Sequence, residues 1–152
     1  MAASTGGEDR ALGLTGLRLE QRHLDLMVAH CLSCYPEEGC GLISGDPLTG
    51  AVTNVHPLRN AARSARIYTL DPREHLDVDL QAEARGDTIL GVFHSHTHTE
   101  PYPSPTDVRQ APDPTWHYVL VGFRHEVPSV RSFHIEGGNI SEETLVVLGN
   151  RI

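Results

Sequence analysis

The sequence predicts an α+β domain of three-layer α/β/α character. A mixed, mostly antiparallel sheet is flanked by two main helices, with a short helix after a histidine-rich loop. Three observations point there. Short apolar or alternating runs recur along the chain, among them "GCGLISG", "AVTNVHPL", "TILGVFHSH" and "WHYVLVGF", each with the length and bounding turn residues of a strand. Two stretches, "EQRHLDLMVAHCLSCY" and "DPREHLDVDLQAEARG", have the length, spacing and end signals of helices. With 152 residues, 39% hydrophobic and 21% charged, the chain suits one domain that buries its core without disulfide or metal staples.

Each element follows in order. Residues 1–16 are expected to form a flexible N-terminal arm and residues 17–152 the domain. "LRLE" starts a strand. In the first helix Leu24, Met27, Val28, Cys31 and Leu32 fall on one face, and Pro36 ends it. "GCGLISG" is a buried strand, "DPLTG" a turn, and "AVTNVHPL" a strand that hairpins back on it. "ARIYTL" is a further expected strand. Asp71 then caps the second helix with Pro72 at its first position, and Gly86 closes it. "TILGVFHSH" is β-branched and apolar, a central strand. "SPTDVRQA" opens a short helix capped by Ser104, "WHYVLVGF" is a strand, and "SVRSFHIEGGNISEETLVVL" forms strands around a Gly-Gly turn.

Composition removes several function classes. A net charge of -8 repels a phosphate backbone and argues against nucleic-acid binding. No apolar run reaches the length of a membrane span. Three cysteines, Cys31, Cys34 and Cys40, do not make a secreted disulfide framework, and the N-terminus lacks the basic and apolar regions of a signal peptide. A cytoplasmic protein is expected. Nothing in the sequence sets the oligomeric state, a homodimer included.

The stretch "HSHTHTEPYPSPTD", His94 to Asp107, carries the chemistry. Side chains at i and i+2 of a strand share a face, so His94 and His96 point together at the strand's end. Asp107 can return as a third ligand from the next helix. Two histidines, a carboxylate and an open position make a catalytic zinc arrangement. His96 and His98 form a rival pair on spacing alone. Upstream, Glu37 and Glu38 stand directly before a buried glycine-rich strand, where a carboxylate can reach a metal-bound water.

Taken together, Glu38-Gly39-Cys40-Gly41, then His94-Ser95-His96, seven residues, Ser104, two residues and Asp107 resemble the motif of the JAMM (MPN/Mov34/PAD-1) metalloproteases, in order and spacing. Within that family "HSHTHTEPYPSPTDV" and "HYVLV" are similar to the actinobacterial CysO-cysteine peptidase type. Thr97 replaces the proline that many members carry after the second histidine. Only eight residues separate Asp107 from Trp116, too few for the long insertions of ubiquitin-specific members.

The resemblance implies that His94, His96 and Asp107 bind one Zn2+, that Glu38 is the general base, and that Ser104 stabilises the oxyanion. It leaves His98 as a bystander or supporting group. The implied activity is hydrolysis of the bond after the C-terminal Gly-Gly of a ubiquitin-like sulfur carrier (CysO-, ThiS- or MoaD-like), releasing cysteine or a longer tail. Arg63, Arg66 and Arg73 are candidates to meet an acidic carrier or a substrate carboxylate. The alternative is a non-catalytic scaffold or carrier-binding module of the same fold. A zinc deaminase, suggested by His98-Thr99-Glu100, fails because it needs a Pro-Cys-x-x-Cys downstream, whereas Cys31 and Cys34 lie upstream on a helix.

Overall fold

β1, Leu17–Glu20, runs straight into helix α1, Gln21–Cys34, in the computed structural model, which describes residues 16–149. The expected arm therefore lies outside the described residues, Gly16 excepted. The Glu20 backbone N–H donates to His23 Nδ1 at 3.0 Å, using a donor that the first helical turn would otherwise leave unpaired. α1 buries His23, Met27 and Cys31, with Leu24 and Val28 packed beside them. Leu32, expected on this face, is 57% exposed. The buried stripe follows the four-residue line through positions 23, 27 and 31, and residue 32 lies about 100° further round the helix.

β2, Cys40–Gly45, is buried throughout, and the "DPLTG" turn folds β3, Val52–Leu58, back onto it. Helix α2, Pro72–Ala84, starts as expected: the Asp71 carboxylate accepts from the Arg73 N–H at 2.8 Å. β4, Thr88–His96, helix α3, Pro105–Arg109, and β5, His117–Gly122, complete the centre of the domain. β6, Ser129–Glu136, and β7, Asn139–Glu143, pair across Gly137 and Gly138. Both glycines have positive φ, +57° and +83°, where a side chain would be strained. β8, Leu145–Leu148, leaves that hairpin and pairs in parallel with β1.

The six-stranded sheet has the order β3-β2-β4-β5-β6-β7, and every neighbour is antiparallel except β4 and β5. Pleat alternation divides the core into two. Ile43, Phe93, Val119 and Val121 pack with α1, while Leu42, Val92 and Tyr118 pack with Val78 of α2. The mixed, mostly antiparallel sheet between helices is the predicted class.

One expected strand is not formed. "ARIYTL", residues 65–70, is an irregular segment. Its alternation is real, since Tyr68 and Leu70 pack inward and Ile67 is 38% exposed. Its backbone, however, is held by a side chain: the Asn60 amide bonds to backbone groups of residues 62, 64, 67 and 69. Among the described residues, no helix is long and apolar enough to cross a membrane.

Candidate metal centre

The pleat of β4 sorts its last residues. His94 and His96 face the α2 side, where the Tyr68 ring stacks on His94 at 4.2 Å. Ser95 faces the other way, and its Oγ accepts the Gly39 N–H at 2.8 Å while its own N–H donates to the Gly39 carbonyl at 3.0 Å. The end of β4 thus brings two imidazoles together and grips the segment that carries Glu38. Gly39 has no room for a side chain: an added Cβ would lie 2.7 Å from Cys31 Cα of α1.

Asp107 arrives from α3. The connecting loop is seated by Pro101, fully buried against Gly122 of β5, where an added Cβ would meet the proline ring at 2.9 Å. Ser104 caps the helix: its Oγ accepts the Asp107 N–H at 3.0 Å, and its own N–H donates to Asp107 Oδ2 at 2.8 Å. One carboxylate oxygen then stands 3.3 Å from His94 Nε2 and the other 3.0 Å from His96 Nε2. The predicted trio His94, His96 and Asp107 is one cluster, with ligand atoms within 4.8 Å of one another. His98 is outside it; its Nδ1 meets Thr97 Oγ1 and its Nε2 lies 3.4 Å from the Tyr35 hydroxyl.

The donor chemistry of this cluster fits a metal ion. His96 Nδ1 contacts the Glu100 carbonyl at 2.9 Å. A carbonyl only accepts, so the hydrogen sits on Nδ1, and in the neutral ring Nε2 faces the Asp107 oxygen with a lone pair. A cation between them resolves that contact. Two of the three buried side-chain N or O atoms without a hydrogen-bond partner, among the described residues, are His94 Nε2 and Glu38 Oε1. Such orphans cost about 1–3 kcal/mol each, and here they stand in one site.

Charge follows the same pattern. Burial alone would raise the Asp107 pKa, but its contacts with His94 and His96 and the Ser104 N–H pull it well below the ordinary carboxylate range. Burial lowers His94, with Asp107 opposing, whereas in His96 burial is outweighed by Asp107 and the Glu100 carbonyl, which raise it. Glu38 is 3% exposed. Burial pushes it up to about 8, with His96 opposing and Asp107 assisting. A carboxylate poised near neutrality beside a ligand set is an arrangement suited to proton transfer. Glu38, His96 and Ser104 line a cleft of about 560 Å³ together with Ala65, Arg66, Thr97, His98 and Thr99. Of the three arginines singled out from sequence, Arg66 is the one on this wall.

A second histidine–carboxylate group, His117, His134 and Glu143, lies where β5, β6 and β7 pair away from the cleft. Glu143 accepts from Ser132 Oγ at 2.6 Å and contacts His117 Nδ1 at 2.5 Å and His134 Nε2 at 3.0 Å. Both of its oxygens are engaged, and the group ties three strands together. The three cysteines are free thiols. Cys31 and Cys40 are buried, with burial pushing both thiols up to about 12, and Cys34 Sγ lies 3.8 Å from His30 Nε2.

Three contributors went unread in the sequence: Ser95, Tyr68 and Asn60. For Ser95 the signal was available, since the middle residue of His-x-His on a strand must face the opposite layer. Tyr68 was legible only as a strand residue. Asn60 carries no local sign of its role.

A family model described as prokaryotic homologs of the JAB domain matches residues 20–136. The chain is 39% identical over 129 residues to the CysO-cysteine peptidase of Mycobacterium tuberculosis, covering 82% of this chain and 86% of that one. It is 35% identical over 123 residues to a probable TtuB-protein conjugate cleaving protease of Thermus thermophilus, covering 79% and 75%. Among solved structures, a Desulfitobacterium hafniense protein superposes with a TM-score of 0.81 at 31% identity, covering 89% of this chain and 94% of that one. The chain belongs to the prokaryotic JAB branch of the JAMM/MPN peptidase family.

Proposed function

We propose that the protein is a zinc-dependent peptidase that hydrolyses the bond after the C-terminal Gly-Gly of a ubiquitin-like sulfur carrier, releasing cysteine or a C-terminal tail in the cytoplasm. The observation that carries the reading is the convergence of His94, His96 and Asp107 beside a buried Glu38 whose Oε1 has no partner. The names of the Mycobacterium and Thermus relatives support the substrate class.

His94 Nε2, His96 Nε2 and the Asp107 carboxylate would hold one Zn2+. When bound, the ion supplies a Lewis acid that polarises a carbonyl and eases the ionisation of water. The rest is the work of the chain. The Glu100 carbonyl fixes the His96 tautomer and ring orientation. Glu38 accepts the proton of the attacking water and returns it to the leaving amine. Ser104 uses its oxygen to accept the Asp107 N–H, which leaves its hydroxyl hydrogen free to meet the oxygen that gains charge in the transition state.

Zinc-loaded protein is incubated with carriers bearing a C-terminal cysteine or a short tail after Gly-Gly, and products are weighed by intact mass spectrometry. Loss of the residues after Gly-Gly, abolished by chelator and restored by zinc, is the expected result. Metal analysis showing a stable protein that takes up no zinc would instead identify a scaffold.

A further inference from the structure

The segment between α1 and β2 places Glu38 over the cluster, yet no regular structure holds it: Glu38 precedes the first residue of β2. What holds it is Asn60. This side chain is 4% exposed. Its amide nitrogen donates to the Glu38 carbonyl at 3.0 Å, to the Ile67 carbonyl at 3.0 Å and to the Ser64 carbonyl at 3.3 Å. Its oxygen accepts from the N–H groups of Ala62 at 2.9 Å and Thr69 at 3.1 Å. Two amide hydrogens serve three carbonyls and one oxygen serves two N–H groups, so the side chain's bonding capacity is filled. The Glu38 N–H in turn donates to the Ser64 carbonyl at 2.8 Å.

These bonds join two things that are separate in the sequence. The segment held by Asn60 contributes Ala65 and Arg66 to the cleft wall, and the same side chain holds the backbone of the buried carboxylate. On the far side, Ser95 grips Gly39. Glu38 is thereby mounted between β4, which carries the histidines, and the residue 60–69 segment, which faces the substrate. Glu38 Oε1 has no hydrogen bond of its own, so its backbone mount determines where it sits.

We infer that Asn60 is a positioning residue for Glu38: it sets the carboxylate over the metal cluster and makes its placement depend on the substrate-facing segment. The inference rests on the peptidase reading above. Asn60→Asp keeps the shape and the two accepted bonds but turns an oxygen toward three carbonyl oxygens. Asn60→Ser retains one donor. Losing a supporting hydrogen bond of this kind typically lowers activity by about 10- to 100-fold.

The experiment is a double-mutant cycle with Glu38→Gln, read as single-turnover cleavage of a carrier–cysteine adduct, with zinc content measured on every variant. Asn60→Asp is expected to lower the rate by about 10- to 100-fold in the parent and by less than about 3-fold in Glu38→Gln, zinc content being unchanged, with Asn60→Ser in between. Equal losses in both backgrounds, or full activity of Asn60→Asp in the parent, overturn the assignment. Amide hydrogen exchange of zinc-loaded protein gives a readout independent of turnover. In Asn60→Ser the Glu38 N–H is expected to exchange at least about tenfold faster while that of Val92 in β4 keeps its protection. Unchanged exchange at Glu38 overturns the assignment even if no carrier adduct is ever cleaved, a failure that would count against the peptidase reading instead.

Discussion

Glu38→Gln should stabilise the metal-free protein at alkaline pH while removing its activity. An ordinary glutamate ionises near 4.5, and burial lifts Glu38 to about 8. Because the folded-state pKa lies above the unfolded one, the sign is the reverse of the usual carboxylate case. Below about pH 4.5 the group is protonated in both states and contributes nothing. As pH rises from there to about 8 the unfolded chain ionises and the folded one resists, so stability is progressively lost. A separation from 4.5 to about 8 corresponds to a factor of about 3000, or about 5 kcal/mol at pH 8.5 and under about 1 kcal/mol at pH 5. Glutamine has the same shape and no charge, so the variant escapes that loss. Urea unfolding of chelator-treated parent and variant at both pH values measures it. The stability gap should open in the variant's favour by about 4 kcal/mol between pH 5 and pH 8.5. The zinc-loaded variant should retain its metal and lose about 100- to 10,000-fold in turnover. Equal gaps at the two pH values would refute the burial argument, and undiminished turnover would refute the assignment of the base.

Asp107→Asn should abolish the stoichiometric zinc of the loaded protein, whereas His98→Ala, outside the cluster, should retain it; metal analysis after dialysis separates the two. Ser104→Ala should cost about 1 kcal/mol in urea unfolding through the lost helix cap and about 100- to 1000-fold in rate through the lost donor; a destabilised but fully active variant would confine Ser104 to the cap. Glu143 titrates in the ordinary direction. Burial would raise it, but His117, His134 and Ser132 bring it down to about 2, so its stabilisation of about 3 kcal/mol is complete above about pH 4.5 and fades as pH falls toward 2. Glu143→Gln should be less stable at pH 7 and lose less stability on acidification between pH 5 and 2, a difference that urea melts at stepped pH will show.

The candidate metal cluster was legible because its residues sit on regular elements whose periodicities are known. His94 and His96 are two apart on a strand, and Asp107 is three past the serine that caps its helix, so the side chains' faces follow from the elements alone. Glu38, the proposed base, was legible only through its motif, since it sits on no strand or helix and its neighbour Glu37 has the same charge. The segment "ARIYTL" shows where local pattern misleads. Its alternation is that of a half-buried strand, but a strand needs a partner, and here Asn60, five residues upstream of Ala65, supplies the backbone bonds. A side chain that replaces a ladder leaves no periodic trace. Leu32 misled for a related reason: an apolar residue at the margin of a helical stripe is placed by what packs against it, which the sequence of the helix does not contain.

The position of the cluster follows from one exception in the sheet. Antiparallel neighbours such as β2 and β3 or β6 and β7 need only a tight turn, and each of those pairs has one. β4 and β5 are parallel, with Gly91 opposite His117 and His96 opposite Gly122. The chain leaving His96 must therefore travel the length of the strands before β5 can begin, and parallel pairing requires such a crossover of about a dozen residues or more. That crossover starts at the C-terminal end of β4, where His94 and His96, both buried, already share a face. Pro101 seats it against Gly122, and α3 turns Asp107 toward the two rings. An antiparallel β4–β5 hairpin would satisfy the same hydrophobic pattern and leave no segment over the histidines. In this domain the parallel pair places a carboxylate where two strand imidazoles end, and the antiparallel β2 beside them brings the preceding Glu38 to the same end from the other side, because Cys40 pairs with His94.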